Sequence, residues 1–210
     1  IHMQRFFLIF LILFCIYRPA FSDVTFEGAN NEIVILTGFI ETEELDEMLV
    51  EIKSKKPTQM ILDSYGGNSQ SARHLAQYKH DNNISTYVSE VGVCKSACVI
   101  LFLAGEKRLC EGELGVHQGY LPKDEENEKV KIKYALEAIQ KVIGEEIELL
   151  NSFNTPPFVY PYMLKNIEIY NFSKEEIAKI NTVKSLDEMW MKMEKFVFYD
   201  YETTGISPEY

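Results

Sequence analysis

Apolar positions along this chain change their period several times, and each change marks an element. Glu32-Ile-Val-Ile-Leu-Thr-Gly38 is a short apolar run rich in β-branched residues, which predicts a buried strand. From Thr42 to Lys53 the period lengthens. Leu45, Met48, Leu49 and Ile52 recur at spacings of three and four, with acids first and lysines last, as an amphipathic helix with complementary dipole charges requires. Pro57 closes that helix, Gln59-Met-Ile-Leu-Asp63 predicts a second strand, and Ser71 to His80 a second helix carrying Ala72, Leu75 and Ala76. Ile84 to Ser89 alternates as a third strand, and Gly92 to Ala97 turns the chain into an apolar helix ending near Leu103. Glu106 to Cys110 is a short extended piece, and Gly115-Val-His-Gln118 a strand end that delivers a residue at its tip. This β-α-β-α alternation predicts an α/β fold with a mostly parallel, layered sheet.

Residues 121–130 read as a charged loop. From about Glu128 to Phe153 the apolar positions Ile132, Ala135, Leu136, Ile139, Val142, Ile143, Ile147 and Leu150 predict one long amphipathic helix. Pro156-Pro157 follows, then the aromatic run Phe158 to Tyr162, then a short helix from Lys174 to Ile180. The aromatic stretch Met189 to Tyr201 suggests a strand that covers a sheet edge or a partner surface. At the other end, Arg5 precedes an unbroken apolar run from Phe6 to Tyr17, and small residues stand at Ala20 and Ser22. These parts predict a secretory signal over residues 1–22, cut after Ser22, because a spanning helix needs about 20 apolar residues. An uncleaved membrane anchor is the alternative. Residues 23–210 then form a single domain in the periplasm or outside the cell.

Composition narrows the class. Of the 210 residues 46% are hydrophobic and 25% charged, as in ordinary globular proteins. A signal of residues 1–22 would take away Arg5 and Arg18 and no acid, so the net charge of −11 becomes −13. That balance repels phosphate backbones, and with no basic stripe and no polybasic segment the reading is no nucleic acid and no anionic membrane as partner. Cys94, Cys98 and Cys110 stand in a compartment that tolerates disulfides, and the spacing alone does not say which pair joins. A zinc site would lack a fourth ligand, so neither metal nor cofactor is expected.

Candidate chemistry gathers around Val91 to Gln118. Ser96 lies at a strand-to-helix turn, where a hydroxyl can be exposed beside helix-terminal amides, and His117 follows 21 residues later at a strand tip. A serine in that place is also a good helix N-cap, and a histidine at a strand end is commonly structural. Gly66-Gly67, at another strand-to-helix turn, would let backbone amides face open space; the plain reading is a tight turn. The arrangement as a whole resembles the Clp-type serine protease subunits of the ClpP/crotonase superfamily over about residues 32–120. The motifs that carry the resemblance are Gly92-Val-Cys-Lys-Ser96, Ala104-Gly105, Lys107-Arg108, His117-Gln118 and the upstream Leu62-Asp-Ser-Tyr-Gly-Gly67, with Tyr65 where the family usually has proline. The Cys-x-Ser-Ala-Cys variant looks like an exported, periplasmic branch.

The resemblance implies a ClpP/crotonase-like β-α-β spiral and a hydrolase acting on a peptide or protein. Ser96 would be the nucleophile, His117 the base, and amides of Gly66 or Gly67 with Ala97 the oxyanion hole, one such donor being worth about 3 to 4 kcal/mol. The aspartate expected near Ser173-Lys-Glu-Glu-Ile177 is missing, and the matching position is Ile169. Glu168 is the candidate third member, Asn166 a weaker one; a Ser-His dyad and a silent site stay open, and Lys95 is a less favoured base. The long helix at residues 128–153 corresponds to one that stacks subunits in the family, which implies a homo-oligomer. An ATPase partner is not expected outside the cytoplasm. The alternative is a catalytically inactive ClpP-like assembly or binding protein; an acyl-CoA enzyme of the crotonase type shares the fold but has no need of Ser96 with His117.

Overall fold

A computed structural model describes residues 23–28, 30–42, 45–119 and 132–190. The predicted signal over residues 1–22, the 121–130 loop, the first residues of the long helix and the aromatic stretch beyond Trp190 lie outside the described residues.

The strands are β1 (Asp23–Glu27), β2 (Ile33–Ile40), β3 (Gln59–Gly67), β4 (Ser85–Val88), β5 (Val93–Lys95), β6 (Arg108–Cys110), β7 (Glu113–Val116) and β8 (Tyr170–Asn171). The helices are α1 (Leu45–Lys55), α2 (Ser69–Asp81), α3 (Ala97–Leu103), α4 (Ile132–Ser152), α5 (Val159–Lys165), α6 (Lys174–Ile180) and α7 (Leu186–Trp190). All strands join one mixed sheet with the main order β1-β2-β3-β5-β7-β8, and β4 and β6 branch from β3. The inner pairings are parallel, and the two outer ones, β1 with β2 and β7 with β8, are antiparallel. The chain is therefore α/β with a mostly parallel sheet, as its alternating pattern predicts.

β3 is the strand on which the sheet divides. Its first half pairs with β4, Gln59 to Ile61 opposite Ser85 to Tyr87, and its second half reaches β5 through Ser64 opposite Cys94. On its other side β2 runs in register with β3 until Gly38 faces Ser64 and Phe39 faces Gly66. Tyr65 is thus the extra residue of a bulge, which throws its ring outward to 55% exposure and re-aims the two glycines that follow. The Ser64 hydroxyl fills the bulge: it donates to the Gly38 carbonyl at 2.6 Å and accepts from the Gly66 N–H at 3.1 Å.

The core lies between the sheet and its helices. Val34, Leu36, Met60 and Leu62 meet Leu75 and Ala76 of α2 and the whole of α3, whose seven residues are apolar and all buried. A helix apolar on every side has no solvent face, so α3 can only run through the interior. Lys107 and Arg108 tie helix ends to this core. Arg108, almost fully buried, donates to the carbonyls of Leu103, Phe153 and Asn154 just past α3 and α4, and Lys107 Nζ donates to those of Glu188 and Met189 in α7. Late helix carbonyls lack partners within the helix, so a cation is well placed there.

One local expectation is corrected, and two elements had no prediction. The aromatic run Phe158 to Tyr162 begins α5, in which Pro161 falls in the first turn, where a missing N–H is harmless. Met189 and Trp190, read as the start of a strand, close α7. β8 follows from its pairing with β7, in which Tyr170 faces Val116 and Asn171 faces Gly115. Among the described residues no helix is long and apolar enough to cross a membrane.

Candidate active site

Ser96 joins β5 to α3 with φ +54° and ψ −127°, outside the regions an L-residue prefers. Such a residue costs of order 1–3 kcal/mol and persists only where its surroundings over-determine it. Here its N–H donates to the Gly115 carbonyl on β7 at 2.8 Å, and its own carbonyl accepts from the Val99 N–H at 3.0 Å. Ser96 occupies the N-cap position of α3, yet its side chain makes no capping bond. The hydroxyl instead meets His117 Nε2 at 2.7 Å.

His117 follows β7, which is held on one side by β5 and on the other by β8. The next residue is pinned as well, its Gln118 N–H donating to the Asn166 carbonyl at 2.7 Å. The other ring nitrogen, Nδ1, lies 2.7 Å from the Gln118 carbonyl. A carbonyl only accepts, so Nδ1 carries the proton and Nε2 presents its lone pair to the serine hydroxyl. That is the tautomer a general base needs.

Gly66 brings β3 against the same turn. A Cβ built on it would lie 2.7 Å from Ser96 Cβ, 2.9 Å from the Ala97 nitrogen and 2.6 Å from the Lys95 carbonyl, and its φ is +96°. Only glycine fits there. Because the Gly66 N–H is committed to Ser64, its part is the close approach itself. The Ala97 N–H opens α3 and has no intrahelical acceptor, and Gly67, with φ +138°, follows Gly66 packed against the main chain of Ile40 on β2. Asp63 helps to place β5, its carboxylate accepting from the Val93 N–H at 3.0 Å.

The structure thus brings together Ser96, His117, Gly66 and Ala97, with Gly67 the next residue along β3. Glu168, predicted as a third member, is exposed. Asn166 reaches the site through its main chain, and its side-chain Nδ2 is buried with no hydrogen-bond partner among the described residues. Lys95 forms an ion pair with Glu113 and lies 5.8 Å from the centre of the Tyr65 ring, which occupies its charge away from the serine. Sequence reasoning missed the Gln118 carbonyl, since every residue carries one.

The cysteines resolve into one bonded pair. Cys94 on β5 and Cys98 on α3 form a disulfide with Cα atoms 5.3 Å apart, one on each side of Ser96. Cys110 on β6 is free and buried, and burial pushes its thiol up to about 12. Among the described residues no group of three or more histidines, cysteines or acids is placed to hold a metal. No protein-family model matches the chain, and no curated protein matches it.

Proposed function

We propose that the chain is a serine hydrolase of the ClpP/crotonase-like class that cleaves a peptide or acyl bond. The observation that carries the reading is Ser96: a strained residue at a strand-to-helix turn whose hydroxyl makes no capping bond and instead meets a histidine Nε2 at 2.7 Å. Strain of this kind clusters at reacting residues, and a strand-turn-helix elbow is where hydrolases display a serine.

On this reading the Ser96 oxygen attacks the carbonyl carbon while His117 Nε2 takes its proton. The developing oxyanion is met by the Ala97 and Gly67 amides, and the imidazolium then protonates the leaving group. On this reading the Gln118 carbonyl, 2.7 Å from Nδ1, helps to orient the ring, and Ser96 and His117 act as the reacting pair. Substrate, location outside the cytoplasm and membership of the superfamily belong to the same proposal. Substrate and superfamily rest on the motif resemblance with the Gly66 approach to Ser96, and location on the signal pattern of residues 1–22.

A second role is supported by α4. Leu136, Ile139, Val142 and Ile143 share one stripe and are all exposed, Leu136 by 54%. We read this stripe as the contact with a second copy of the chain, which also suits a catalytically silent assembly protein.

A fluorophosphonate tests the hydrolase reading, since attack by Ser96 forms an O–P bond and expels fluoride. The native chain is expected to label. Ser96→Ala should not label, His117→Ala should label about 100-fold more slowly or worse, and Glu168→Gln should label at the native rate. A folded native chain that does not label overturns the reading.

A further inference from the structure

We propose that the Cys94–Cys98 disulfide is a positioning element of the Ser96 turn: it holds the serine hydroxyl against His117, and a chain without it folds but does not form that pair. The inference rests on the reading of Ser96 and His117 as the reacting groups.

The bond's position carries the argument. Cys94 is the β5 residue registered against strands on both sides, opposite Ser64 of β3 and Leu114 of β7. Cys98 is the second residue of α3. The bond therefore fastens the place where three strands meet to the first turn of the helix, with Ser96 midway. Of the two covalent routes from sheet to helix, one runs through Ser96 and the other through sulfur. Main-chain bonds to Gly115 and from Val99 fix the serine's own N–H and carbonyl, but α3 adds no capping bond that would fix the angle at which it leaves the sheet. The disulfide supplies that restraint, and with it the φ of +54° that aims the hydroxyl.

A general stabilising role fits poorly. The benefit of a disulfide to folding grows with the loop it closes, and a sequence separation of 4 closes a very short one. An exchangeable switch fits poorly too. Both bonded cysteines are fully buried. The remaining thiol among the described residues, Cys110, sits on β6, which pairs with β4 and not with β5. Its raised pKa keeps it protonated near neutrality, and only a thiolate attacks a disulfide.

The test compares ¹⁵N spectra of the His117 ring in the native chain, in Ser96→Ala, and in two disulfide-free chains, Cys94→Ala/Cys98→Ala and the volume-filling Cys94→Val/Cys98→Ala. At least one disulfide-free chain is expected to melt cooperatively and to give His117 resonances matching those of Ser96→Ala. Native-like resonances would overturn the proposal, and so would failure of both chains to fold, since the bond would then be a staple of the whole domain. Fluorophosphonate labelling adds a coupling readout. His117→Ala should slow the native chain about 100-fold or more and leave a disulfide-free chain unchanged; an undiminished penalty also overturns the proposal. If the native chain does not label at all, the hydrolase reading fails, while the ring spectra still decide whether the bond sets the Ser96–His117 pair.

Discussion

Gly66 has space for a hydrogen and for nothing larger. A methyl group there would meet the Lys95 carbonyl and Ser96 Cβ below 3 Å, with φ already at +96°. Gly66→Ala is expected to lower stability by about 3 kcal/mol and to stop labelling of Ser96 at temperatures where the variant stays folded. Urea unfolding paired with labelling checks this, and a variant that labels like the native chain would make the approach of β3 incidental. At this scale the sequence was informative where chemistry depends on side-chain type and spacing, as with Ser96, His117 and Gly66-Gly67. It was silent where main chain does the work. Nothing about Gln118 distinguishes its carbonyl from its neighbours', and Glu168 drew attention as the carboxylate one residue from Ile169, where the resemblance places an aspartate. Ser96 does stand at the helix N-cap, but its hydroxyl donates to His117 Nε2 instead of accepting from an amide of α3. Which cysteines pair likewise depends on how β5 meets α3.

Among the elements, α3 was the most legible, since Ala97 to Leu103 offers no polar side for solvent. α5 was the least, because Pro156, Pro157 and Pro161 read as breakers until the helix start is placed between them. β3 was found from its apolar run, but not the bulge at Tyr65, which exists only in register with β2, where Gly38 lies 26 residues upstream of Ser64. β8 has two residues and no pattern of its own. α4 shows the 3.6-residue period the sequence predicts, with a consequence for assembly. Isolated exposed apolar residues are ordinary, whereas four exposed on one face of α4 among the described residues are what the proposed contact with a second copy would cover. Sedimentation at micromolar concentration is expected to show an oligomer that Ile139→Glu/Ile143→Glu converts to monomer without lowering the melting temperature. A native chain that sediments as a monomer removes the interface.

The sequence is acidic overall, yet among the described residues the most deeply buried ionisable side chains, Lys79 and Arg108, are of the basic type. Lys79 is fully buried and donates to Thr86 Oγ1 and the Ile84 carbonyl. Burial first, and then the Arg108 charge, hold its pKa well below the ordinary 10.5. The folded chain keeps this amine neutral at pH values where the unfolded chain protonates it, so its contribution to stability rises with pH up to about 10.5. Lys79→Met removes that term. The stability of the variant relative to the native chain should fall as pH is raised from 7 toward 10, and a difference independent of pH would show that Lys79 is charged in the fold. The disulfide beside Ser96 has a consequence of another kind, in time rather than in energy. Its closure requires two thiols to surrender two electrons and two protons to an acceptor that the chain does not carry. If the chain is the hydrolase proposed above and the bond sets the serine, translation and folding alone yield an unarmed protein, which becomes reactive only where an oxidant closes the bond. Such a chain needs no inhibitory segment to spare its neighbours during synthesis.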